Sequence, residues 1–236
     1  MYLPKTLVSS IAAVSPNAVF YRPTWEKVVA LTIDDVPTAE AGYPSTQRIL
    51  AAIARHNQGL DERDHAHATF FVIGDQLIYG TDILHQMLAQ GHELGNHGMG
   101  DRFHVSLPPA AFEDEIWRSH YLLTEGTAAQ VQWFRPGRAF YSPAMVATLG
   151  KLKTQGYRPQ MALASMVPLD TYNSFKNPAL TLQYALQFVF PGAILVLHGG
   201  SEERDRNTAA VLKALLPRLH KMEYRVVTLS QLFALS

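Results

Sequence analysis

Short apolar runs rich in branched residues, separated by longer stretches of helical spacing, recur along most of the chain. That alternation is the mark of β/α units, in which a helix after each strand packs back onto a parallel sheet. The runs are "KVVALTID" (27–34), "ATFFVIG" (68–74), "HELGNH" (92–97), "VQWFR" (131–135), "YRPQMAL" (157–163), "AILVLH" (193–198) and "YRVVTL" (224–229). Helical spacing is expected over 45–57, 75–90, 108–125, 142–155, 178–189 and 206–222, with "SQLFAL" closing the chain. Pro44 and Ser45, Pro108 and Pro109, and Ser142 and Pro143 stand where helices begin, since a first turn has no use for the N–H that proline lacks. Nothing resembling a repeat or a linker divides the 236 residues, so they are read as one domain with its core at about 27–230.

Composition narrows the function classes. Twenty basic and twenty acidic residues cancel, which argues against a basic surface for nucleic acid. Cysteine is absent, which excludes disulfides, thiolate metal sites and a cysteine nucleophile. No run reaches the roughly 18–20 apolar residues of a membrane span. The start, "MYLPKTLVSSIAAVSPNAV", has one lysine and a mildly apolar run broken by serines, without a clear cleavage site, so a soluble cytoplasmic protein is expected.

The residues that look chemical fall at the carboxyl ends of the runs: Asp34 and Asp35 in "TIDD", His97 in "GNHGMGD", Arg135 in "WFRPGR" and His198 in "LVLHGG". In a barrel of parallel strands these ends open onto one face, so four distant segments would converge there. Paired aspartates can divide the work, one holding a cation and the other accepting a proton, although Asp-Asp before "VPT" also suits a turn. His97 and Asp101, four apart, could face one ion with Asp35. Protonated His198 could supply a leaving amine with a proton, with Asp170 in "VPLDTYN" keeping it charged. Arg135 could orient Asp34. Most other histidines, among them His56, His65, His67, His85, His104, His120 and His220, read as surface residues, with His104 noted as a possible neighbour of His97.

In order along the chain, these stretches resemble the polysaccharide deacetylases, the NodB-like carbohydrate esterases of family 4. "TIDD" is similar to the first motif of that family, and the resemblance makes Asp34 the catalytic base and Asp35 a metal ligand. "GHELGNHGMGD" is similar to the second, with His97 in place and Asp101 where a second histidine is usual. "FRPGRAFYS" resembles the third, with Arg135 as partner of the base, Arg138 where tyrosine is usual, and Gly137, Phe140 and Tyr141 beside the substrate. "PLDTYN" offers Asp170 for the fourth motif without its tryptophan. "LVLH" resembles the fifth, with Leu195 and Leu197 lining the acetyl pocket and His198 as general acid.

The resemblance implies a distorted, incompletely closed (β/α)7 barrel. It implies a divalent ion, zinc first and manganese, cobalt, nickel or magnesium next, and hydrolysis of N-acetyl groups on an amino-sugar glycan. Two alternatives stand beside it: a hydrolase of small amides or imides, and a metal-free carbohydrate-binding homologue.

Overall fold

The computed structural model describes residues 3–166, 170 and 177–235. Its strands are β1 (Ala18–Val19), β2 (Val28–Val36), β3 (Ala68–Val72), β4 (Glu93–Asn96), β5 (Met161–Ala162), β6 (Ile194–His198) and β7 (Arg225–Val227). Its helices are α1 (Leu3–Ala13), α2 (Pro44–Asn57), α3 (Asp82–Ala89), α4 (Pro109–Thr124), α5 (Pro143–Lys151), α6 (Pro178–Gln187), α7 (Glu202–Lys221) and α8 (Leu229–Phe233). Among the described residues no helix is long and apolar enough to cross a membrane.

All the ladders are parallel. β4, β3, β2 and β6 form one sheet in that order, β7 pairs with the start of β2, and β1 pairs with β5. The ring continues through scattered backbone hydrogen bonds instead of ladders. Asn96 N–H donates to the Trp133 carbonyl, Ala162 N–H to that of Phe134, and Ser165 N–H to that of Ile194. The barrel is therefore distorted and not fully closed, as the family resemblance implies, and its parallel strands follow the β/α pattern.

Two expectations need correction. The run 131–135 is no regular strand: it touches β4 at one isolated bridge, Asn96 to Phe134, and Pro136 then supplies no N–H to extend the pairing. Residues 3–13, read only as a mildly apolar stretch, form α1.

Alternation along β2 explains how the sheet carries both a core and a site. Val29, Leu31 and Ile33 face the outer core against the helices. Val28 and Ala30 face inward, onto Phe71, Trp133, Ala162, Ile194, Leu229 and Leu232. With a period of two, Thr32 and Asp34 continue that inner row toward the carboxyl end. The apolar plug therefore fills the barrel from its amino-terminal end, and the polar residues stand above it.

At that amino-terminal end His92 is buried against Phe70, with ring centroids 5.1 Å apart. Its Nδ1 accepts from Ala68 N–H at 3.3 Å, and burial holds its pKa down from 6.5 to about 3. The folded pKa thus lies below the unfolded one, so the stabilisation is whole above pH 6.5 and is lost as pH falls toward 3. The loss runs at about 1.4 kcal/mol per pH unit. Between pH 7.5 and 5.0 we expect the protein to lose about 2 kcal/mol in urea unfolding through this ring. His92→Asn, which keeps an acceptor without a titrating ring, should lose correspondingly less; equal losses in both proteins would show that His92 does not titrate in this range.

Candidate active site

The register of β2 against β6 sets Asp34 directly opposite His198. Asp34 Oδ2 lies 3.9 Å from His198 Nε2, and both residues are almost fully buried. Arg135 reaches the same carboxylate from the 131–135 segment, with Nη1 donating to Asp34 Oδ1 at 2.6 Å. The same guanidinium donates to Thr32 Oγ1 at 2.7 Å and to the carbonyls of Ala162 and Leu163 at 2.8 and 3.1 Å. It lies 4.1 Å over the Phe71 ring. So many partners fix the guanidinium, and through its 2.6 Å bond it holds the Asp34 carboxylate in place, as a base in a fixed geometry would require.

Asp170, the one described residue of "PLDTYN", accepts from His198 Nδ1 at 3.0 Å and from His198 N–H at 2.9 Å. Burial opposes a charge on His198, but Asp170, with Asp34 and Asp35 nearby, outweighs it and raises the pKa to about 9. The ring is therefore a cation at neutral pH. Its Nε2–H points toward Asp34, ready to be given to a substrate atom placed between them.

Asp35 adopts a left-handed backbone, φ 63°, which turns it away from Asp34. Gly200 makes room for this turn: a Cβ there would lie 2.5 Å from the Asp35 carbonyl. Asp35 Oδ1 meets His97 Nε2 at 3.3 Å, and Asp35 Oδ2 meets Arg204 Nη1 at 3.2 Å. Burial works against the carboxylate, yet His97, His198 and Arg204 bring its pKa down to about 2. Nδ1 of His97 donates to the Arg135 carbonyl at 2.8 Å, which directs Nε2 at Asp35. Burial disfavours a charge on His97, and the Asp35 hydrogen bond with the charges of Asp34 and Asp35 outweighs it, raising the pKa.

A carboxylate and an imidazole Nε2 oriented by a backbone carbonyl fit two positions around a divalent ion. A third ligand is not in place. Asp101 pairs with Arg138 at 3.2 Å and is more than a third exposed. His104, buried beside His97 with ring centroids 6.4 Å apart, accepts from Gly137 N–H through Nδ1 at 2.7 Å and turns Nε2 toward Glu115 at 3.4 Å. Burial lowers its pKa to about 3. Among the described residues no three histidine or acidic side chains are grouped to hold one ion. The Asp35, His97 and Asp101 triad expected from spacing is therefore not assembled: two glycines keep 97–101 out of a helix, and an arginine neutralises the aspartate instead.

Leu195 and Leu197 also need correction. They sit in the outer core, at odd offsets from His198 along one strand, and so face away from it. Val196, at the even offset, shares the face of His198. Gly137 lies in the loop beside His104, Phe140 is exposed, and Tyr141 packs partly into the outer core. His104 and His120, read as surface residues, are buried.

Sequence reasoning missed Arg204 and Asp205. Asp205 Oδ2 accepts from Thr38 and Thr46 at 2.7 and 3.1 Å, tying α7 to the loop after β2 and to the first turn of α2, and burial raises its pKa to about 6. The signal was present. Ser201 caps α7 by accepting from Arg204 N–H, and Glu202, Glu203 and Asp205 fill an acidic first turn.

An open barrel of parallel strands, with a buried aspartate, arginine and histidine gathered at its carboxyl face, is a β/α barrel of the NodB class. The profile of the polysaccharide deacetylase family matches residues 21–157, and the chain belongs to that family. A peptidoglycan-N-acetylglucosamine deacetylase of Bacillus cereus is 29% identical over 212 residues, 89% of this chain and 90% of that protein. The solved Bc1960 peptidoglycan N-acetylglucosamine deacetylase superposes with a TM-score of 0.78 at 21% identity, covering 97% of both chains. BA3943 of Bacillus anthracis, a CE4 family pseudoenzyme, superposes with a TM-score of 0.74 at 21% identity, covering 92% of this chain and 69% of that one. The fold is thus shared by a deacetylase and a pseudoenzyme, so activity must be argued from the side chains.

Proposed function

We propose that this chain hydrolyses the N-acetyl group of an amino sugar within a glycan, releasing acetate and a free amine. The observation that carries the reading is the opposed pair Asp34 and His198, 3.9 Å apart, each with its own positioning partner, Arg135 and Asp170. A base and a protonated acid on neighbouring strands are what amide hydrolysis needs at its two ends. The family match and the named activity of the Bacillus cereus relative support it.

In this reading a water attacks the acetyl carbon while Asp34 takes its proton. The carbonyl oxygen becomes an oxyanion, for which the backbone amide of Arg138 is the proposed donor. The C–N bond then breaks as His198 passes its Nε2 proton to the departing nitrogen, and Asp170 holds the ring in place. Asp35 and His97 would hold a divalent ion, which supplies polarisation of the acyl oxygen and a more acidic water when bound. To hold it, His97 would bind through Nε2 in its neutral form, and Asp35 would keep or give up its pairing with Arg204.

The test is acetate release from N-acetylglucosamine oligomers and from peptidoglycan, after chelation and after restoring zinc, manganese, cobalt, nickel or magnesium. We expect restoration by at least one ion. Asp35→Ala and His97→Ala should weaken ion binding beyond the roughly 10–100-fold that losing a supporting partner costs. Asp101→Ala should bind the ion much as the parent does. Failure to release acetate from any N-acetylated glycan with any of these ions would overturn the reading, and a large loss of ion affinity in Asp101→Ala would restore Asp101 as a ligand.

A further inference from the structure

Three carboxylates meet at the carboxyl face, and each is paired with a cation of the chain itself. Asp34 is held by Arg135 at 2.6 Å, Asp170 by His198 at 3.0 Å and Asp35 by Arg204 at 3.2 Å. The first two pairs are the base and the acid with their positioning partners. The third takes no part in moving a proton, and it falls on the residue assigned to hold an ion. Asp35 Oδ1 and His97 Nε2 stand 3.3 Å apart. Two ligands of a tetrahedral ion at the usual zinc distances also stand about 3.3 Å apart, so this edge of the site needs no rearrangement. The other oxygen of Asp35 carries a guanidinium. Asp101, which could have brought a further carboxylate, is held by Arg138 at 3.2 Å, so the competition for an ion falls on Asp35.

A hydrogen bond to a ligating carboxylate ordinarily orients it and strengthens the site. Asp35 does not need Arg204 for that. Its left-handed turn is set by the backbone, and Gly200 packs so tightly against it that a Cβ would lie 2.5 Å from the Asp35 carbonyl. Arg204 also brings a full charge, and a guanidinium on one oxygen repels a dication on the other in a buried site that salt screens little. With the three pairs matched, an entering dication adds positive charge that the release of one cation offsets. Arg135 is pinned by bonds to Thr32, Ala162 and Leu163, and His198 by two to Asp170. The side chain of Arg204 is 34% exposed and hangs from the first turn of α7, so it is the cation with a way out.

We propose that Arg204 is an internal competitor of the ion: it occupies Asp35 in the ion-free protein, swings into solvent as the ion binds, and so sets the free-ion concentration at which the site loads. The proposal rests on the reading that Asp35 and His97 hold the ion. The apparent affinity is then the intrinsic affinity reduced by the fraction of molecules in which the Asp35–Arg204 pair is open.

The test is the Kd of zinc and of cobalt(II), measured without substrate on chelator-stripped protein by calorimetry and by competition with a chelator. Arg204→Met removes the guanidinium and keeps a stem of similar length. Its Kd for both ions should tighten about tenfold, between the values typical of exposed and of buried charged pairs. Arg206→Met takes a charge from the same helix, from a side chain that is 60% exposed and lies 3.9 Å from Glu202. Its Kd should stay within about twofold of the parent, since an exposed charge is screened. Should Arg204→Met fail to fold, Arg204→Gln reads the same quantity. Binding by the Arg204 variant that is no tighter than the parent overturns the proposal, and weaker binding makes Arg204 a supporting partner of Asp35. An equal gain in Arg206→Met also overturns it, because net charge would then account for the effect. Absence of zinc and cobalt binding in parent and variant alike overturns it together with the ion site. Tighter binding without acetate release from any N-acetylated glycan leaves the competitor in place and overturns the catalytic reading, and ion-dependent acetate release with an unchanged Kd does the reverse.

Discussion

Asp34→Asn is expected to lower kcat on an N-acetylated oligomer by roughly 10²–10⁴-fold, the range for loss of a positioned general base. Asparagine is nearly isosteric and still offers Arg135 an acceptor, so the geometry should persist while the proton acceptor is gone. The ion, if held by Asp35 and His97, should be retained, because Asp35 points the other way on a left-handed backbone. KM should change little, since in the proposed mechanism the carboxylate acts on the attacking water and not on the sugar. The measurement is steady-state acetate release beside a metal titration of the same variant. Near-normal kcat would remove Asp34 from the role of base, and a joint loss of ion and activity would show that the two aspartates do not divide the work.

"TIDD" suggests that division because a strand end is where the period of two breaks and neighbouring residues can serve one site; the structure shows the two carboxylates with different partners, Arg135 for Asp34 and His97 with Arg204 for Asp35. The reading that Asp34 and His198 end their strands on one face agrees with the structure, which adds that the two strands are neighbours and the two residues opposite. The period of two also contained a correction that went unused: Leu197 and Leu195 lie one and three residues from His198, and odd offsets place them in the outer core. The failures at 97–104 have a different origin. Whether Asp101 meets an ion or Arg138 depends on how two loops distant in sequence approach one another, and helical spacing says nothing about a stretch that glycines keep from being helical. Arg204 was missed through a boundary, since α7 begins at Glu202 and not at 206. The residues after "LVLH" that looked like loop are the first turn of a capped helix, and that turn delivers a cation to Asp35.

Arg135→Met is expected to cost about 3–5 kcal/mol of folding stability, the range for removing one partner of a buried ion pair. The side chain is only 4% exposed, and methionine matches its length and volume well enough that an empty cavity is not the main term. What is lost is the counter-charge of a buried carboxylate, together with donors to the Ala162 and Leu163 carbonyls, which join the strand-like segments where the barrel has no continuous ladder. Urea unfolding at neutral pH, with the slope compared between proteins, measures the loss. Combining Asp34→Asn with Arg135→Met should cost clearly less than the sum of the two, because the second change then removes a partner whose charge is already absent. A loss under about 1 kcal/mol in the single variant would mean that Asp34 finds adequate solvation without Arg135, against the range expected when a buried pair is broken. Arg135 would then be a positioning residue for catalysis, without being the pin that holds the open side of the barrel.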